Sequence, residues 1–111
     1  MTKDQFDAYK NNLLRKAADI RRAKESEYFS TQDLLGNFRK IASFRGRETP
    51  VTIMDLAAKS IVSISDMVNA EWEYEELLID ERFTLEQWDE KFIDAINYLL
   101  KLYASIREER G

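Results

Sequence analysis

The chain has no cysteine and no histidine, a single proline, and three glycines of which one is the last residue. Without cysteine there is no disulfide framework and no thiolate nucleophile, which suits a reducing compartment. Without histidine there is no imidazole base, no Ser-His-Asp triad and none of the usual zinc ligand sets. Any catalysis would have to rest on carboxylates, Lys, Arg, Tyr or Ser, and any metal would be a hard cation held by oxygen, such as magnesium or manganese. No apolar run is long enough to span a membrane, and no charged-then-apolar leader opens the chain, so a soluble, cytoplasmic protein is expected. So little Pro and Gly, with no sustained strand alternation, leaves helices as the building material.

What is present is 111 residues, 44% of them hydrophobic. That is enough for one domain around one core and too little for two. Charge is unevenly spread. Residues 1 to 50 hold 11 Lys/Arg against 7 Asp/Glu, and residues 51 to 111 hold 6 against 14, so the halves are +4 and -8 within a net -4. The acidic half could gather divalent cations, present a negative surface to a basic protein, or simply be solvated.

Periodicity predicts an all-α bundle of four to five helices over residues 1–111, with an N-terminal helix over 1–27 and a core bundle over 28–107. Phe6, Tyr9, Leu13, Ala17 and Ile20 mark one narrow face of the first helix, Lys3 to Glu27. A helix that is apolar along a single seam suggests self-association, and a homo-oligomer is expected. Ser30 with Asp33 resembles a cap for a second helix carrying Leu34, Leu35, Phe38, Ile41 and Ala42, which should stop at Gly46. Thr49-Pro50 opens a third helix running to Val68, with Thr52 and Asp55 as a second possible cap. Its apolar residues cover well over half its circumference, so it is expected to be the central and most buried helix. One more helical piece is expected around Trp72 to Ile79. Thr84 with Gln87 forms a capping box that opens the last helix, which should run to about Arg107.

In that last helix Leu85, Trp88, Phe92, Ile96, Leu99, Tyr103 and Ile106 centre one face, while Glu90, Asp94, Asn97 and Lys101 form a polar stripe on the other. Such a stripe is ordinarily the wet side of an amphipathic helix. On the third helix Asp55, Lys59, Ser63 and Asp66 form a second stripe. Asp55 and Lys59 could pair locally. Alternatively the two stripes could face each other and hold magnesium between helices. Spacing leaves both open.

The segment "FIDAINYLLKLYASI" resembles the final core helix of the all-α nucleoside triphosphate pyrophosphohydrolases of the MazG-like superfamily. In that register Asp94 matches a metal-binding Asp, followed by Tyr98-Leu99-Leu100; Lys91 stands where the motif has Glu, with Glu90 one place away, and Asp55 is followed by Ala58 where the partner motif has a second Glu. The likeness is closer to small phage and bacterial members associated with nucleotide modification, through Tyr28, "NFRKIA" from Asn37, Lys59 and Asn97-Tyr98, and it covers roughly residues 27 to 106. The resemblance implies magnesium-dependent hydrolysis of a nucleoside triphosphate to monophosphate and pyrophosphate. Asp94, Glu90 and Asp55 would then be the catalytic and metal-binding residues, with Lys59, Asn97 and Arg39 on the nucleotide.

A function of another class is also open: a small acidic phage-type protein that binds and inhibits or adapts another protein. The stretch from Glu71 to Glu81, with Trp72 and Tyr74, would be its interface. Arg39, Lys40, Arg45 and Arg47 beside two Phe residues lack a glycine-rich phosphate loop, and nucleic-acid binding is not expected.

Overall fold

Several helix ends fall where local chemistry provides for them. In the computed structural model, which describes residues 1–27, 33–73 and 82–111, helix α1 spans Lys3–Glu27. Thr2 opens it: its hydroxyl accepts from the Gln5 N–H at 3.1 Å, and the Gln5 carboxamide accepts from the Thr2 N–H at 2.8 Å. Helix α2 (Gly36–Arg45) follows a turn in which the Asp33 carboxylate accepts from the Leu35 N–H at 3.2 Å. It stops at Gly46, whose φ of 65° is left-handed and whose N–H closes on Ala42 and Ser43. Helix α3 spans Thr49–Val68 with Glu48 before it and Pro50 in its first turn, and it runs directly into a π-helical turn, Asn69–Glu73. Helix α4 (Leu85–Arg110) carries the reciprocal Thr84–Gln87 capping box anticipated from the sequence. No strand occurs among the described residues.

One expected cap differs, and another lies outside the described residues. Thr52 does not cap α3; the helix starts three residues earlier, so Thr52 lies within it, fully buried, with its hydroxyl lacking a hydrogen-bond partner. Ser30 lies outside the described residues, as does most of the piece expected over Trp72 to Ile79.

Helix α3 is central, touching α2, the π-helical turn and α4, whereas among the described elements α1 rests on α4 alone. The centre is built of Ile53, Ala57, Met67, Ile93 and Ala95, joined by Ala17 from α1 and by Leu35 and Ala42 at α2. Alanines let the helices approach closely but supply little volume, so the buried core is thin. The radius of gyration is 16.6 Å, where about 13 Å describes a compact domain of this length. Much of the extension comes from α1, whose first half carries Phe6 and Tyr9 exposed.

Helices α3 and α4 run antiparallel. Val68 at the end of α3 meets Leu85, Trp88 and Phe92 at the start of α4, while Asp55 near the start of α3 and Glu108 near the end of α4 are both tied to α2 arginines.

Candidate functional site

The polar stripe of α4 faces α1. Glu90 and Asp94 border a groove of about 740 Å³ between these helices, with Lys16, Asp19 and Lys24 opposite and Glu86 and Asp89 alongside. Lys16 reaches the Asp89 carboxylate at 2.7 Å. The Asn97 carboxamide donates to the Ala17 carbonyl at 3.2 Å, a helix-to-helix bond that leaves its own oxygen buried without a partner.

The α3 residues stand elsewhere. Asp55 lies 3.9 Å from the Arg45 guanidinium of α2, and Lys59 is exposed. Arg39 binds the carboxylates of both Asp33 and Glu108, tying the start of α2 to the end of α4. Its hydrogen bond holds the Asp33 carboxyl below the usual range, and the two carboxylates hold Arg39 above its own. Among the described residues no three carboxylates are grouped to hold a metal ion. Of the six candidate site residues, Glu90 and Asp94 share a groove, Asn97 sits on the same contact with α1, and Asp55, Lys59 and Arg39 are apart from them.

Beside Arg39 is a second cluster. The Lys101 ammonium stands 5.4 Å from the Phe38 ring centre and 5.9 Å from that of Tyr98, and these two rings meet edge to face at 6.5 Å. Partial burial pushes the Lys101 ammonium below the usual lysine range, with Lys24 and Arg21 adding repulsion against the attraction of Glu25.

At the other end of the bundle aromatic rings converge. Trp88 of α4 lies 5.7 Å from Trp72 of the π-helical turn, 5.7 Å from Phe83 at 83°, and 6.5 Å from Phe92. With Val68 and Leu85 they line an open cavity of about 390 Å³ whose charged rim is Glu71 and Arg82. The Glu71 carboxylate accepts from the Phe83 N–H at 3.0 Å and so fixes the approach to α4. A π-helical turn carries one residue more per turn than an α-helix, and it places Trp72 over Trp88. Trp72 is 62% exposed and Leu85 82%, so this is a water-facing apolar concavity.

Both tryptophans were visible in the sequence, Trp72 as part of a candidate partner interface and Trp88 as part of an α4 apolar face. Their meeting depends on the π-helical turn, which no residue pattern signalled. Tyr74 and the acidic stretch beyond Glu73 lie outside the described residues.

No family model matches the chain, and no curated protein or solved structure is detectably similar to it. The expected MazG-like relationship therefore remains a resemblance carried by the residues quoted above.

Proposed function

We propose that this protein is a small acidic binding protein that captures a segment of another protein in the pocket formed by Val68, Trp72, Phe83, Leu85, Trp88 and Phe92. Exposed Trp72, stacked on half-buried Trp88 at the mouth of the cavity, is the observation that carries this function. Leaving the Trp72 ring in water forfeits burial energy, and aromatic anchors in concave, desolvatable sites dominate protein recognition. The flanking chain is strongly acidic, with 14 Asp/Glu against 6 Lys/Arg over residues 51 to 111. The fitting ligand is therefore an apolar side chain flanked by Lys or Arg, drawn in by charge and held by the rings.

The two tryptophans are the only ones in the chain, so intrinsic fluorescence reports on this pocket directly. A short peptide with one leucine or phenylalanine between lysines is expected to shift the emission saturably, and the same anchor between glutamates to leave it unchanged. Trp72→Ala is expected to weaken binding about 10-fold or more. Equal response to both peptides, or none, contradicts the proposal.

A second function draws support from the α1/α4 groove, where Lys16 and Lys24 face Glu90 and Asp94: the magnesium-dependent nucleotide hydrolysis that the resemblance implies. Glu90 and Asp94 would hold the ion, which would neutralise phosphate charge and polarise the attacked phosphorus centre. The lysines would contact the phosphates. Pyrophosphate release from nucleoside triphosphates that requires magnesium and is abolished by Asp94→Ala would establish it, and silence across ribo- and deoxyribonucleotides would count against it.

A further inference from the structure

Helices α3 and α4 turn much of their apolar surface outward. On α4, Leu85, Phe92, Leu99, Tyr103 and Ile106 recur at three-, four- and seven-residue steps and are 40% to 82% exposed. Half-buried Ile96 lies on the same line. On α3, Met54, Ile61 and Val68 repeat every seven residues, with Val62 beside them, and are 41% to 58% exposed. Because Val68 and Phe92 line the same pocket and the helices are antiparallel, the two stripes run side by side. Ala58 and Ser65 fill the gaps on α3, and no charged residue falls on either line.

We infer that a second copy of this chain covers the part of this face that runs from Ile61 to Met54 on α3 and from Leu99 to Ile106 on α4, leaving the pocket at Val68, Leu85 and Phe92 open, so that the two α3/α4 pairs close a four-helix bundle about a two-fold axis. An antiparallel pair of apolar helices is self-complementary under two-fold rotation, the commonest symmetry of soluble assemblies. Area agrees. The chain exposes 8670 Å², whereas a compact monomer of 13.1 kDa exposes about 6,400 Å². The excess of roughly 2,300 Å² per chain is shared with the exposed first half of α1, and the α3/α4 stripes need supply only about 1,000 Å² of it per chain for an obligate homodimer. Charge separates this face from the pocket: Glu71 and Arg82 stand at the pocket's rim, while the stripes from Ile61 and Leu99 outward carry no charge to select anything but a like surface. The inference does not depend on the pocket's ligand.

Sedimentation equilibrium of the full chain tests it. The expected mass is twice 13.1 kDa. Ile61→Glu combined with Leu99→Glu places four unpaired carboxylates in the joint and is expected to weaken association by about 100-fold or more. Lys59→Glu, on the opposite side of α3, is expected to leave the dimer intact. Far-UV circular dichroism follows helix content in each variant. A wild-type mass of one chain over the accessible concentration range overturns the inference, whether or not the double variant folds. So does a dimer that survives the double variant, or one lost in Lys59→Glu.

Discussion

Single residues in this protein show how the sequence encodes polar contacts without naming partners. Asn97 belonged to a polar stripe that could have been solvent-facing or ligand-facing, and it instead bridges to the Ala17 carbonyl. Lys101, from the same stripe, is half-buried between two rings and the basic side of α1. Its lowered ionisation has a definite sign. At neutral pH the residue is charged in both folded and unfolded chains, so the fold bears the desolvation cost. Only as pH rises through the depressed folded value toward that of an unfolded lysine does the folded state hold fewer protons and gain stability. Lys101→Met keeps the stem against Phe38 and removes that cost. The variant is expected to be more stable at pH 7 by about 0.5 kcal/mol, a modest figure because the group is half exposed. Its advantage should shrink toward pH 10 in thermal melts. A less stable variant at pH 7 would mean that the cation–ring attraction outweighs desolvation.

Elements were more legible than contacts. The bounds of α1 and α3, the stop at Gly46 and the Thr84–Gln87 box follow from short local signals, because caps and turns are decided within a few residues. The Thr2–Gln5 box carries the same spacing and could have been found by the same rule. Removing the α4 cap with Thr84→Ala leaves the Gln87 N–H without its acceptor, and urea unfolding is expected to show a loss of about 1 kcal/mol. An unchanged midpoint would mean that the hydrogen bond from Phe83 to Glu71 alone sets where α4 begins. Thr52 was misplaced for a related reason: a Thr-x-x-Asp pattern also occurs inside a helix, and only the earlier start at Thr49-Pro50 decides between them.

At the scale of the whole molecule, periodicity identifies an apolar face but not what lies against it. The Leu85-to-Ile106 face of α4 has the pattern of a core face, yet Phe92, Leu99 and Tyr103 look outward while Ile93, Ala95 and Ser105 are buried. Likewise α3 is central by its neighbours, but Met54, Ile61 and Val62 remain uncovered. The two stripes and the aromatic pocket together leave extensive apolar surface exposed among the described residues. No described helix is long and apolar enough to cross a membrane.

The most direct test of that account is a nuclear magnetic resonance titration of the labelled protein with the lysine-flanked leucine peptide. The two indole N–H signals of Trp72 and Trp88, with the amides of Phe83 and Leu85, are predicted to shift together along one binding curve that weakens with added salt. Shifts confined to Lys16, Asp89 and their neighbours in the α1/α4 groove, or no shifts at all, would contradict it.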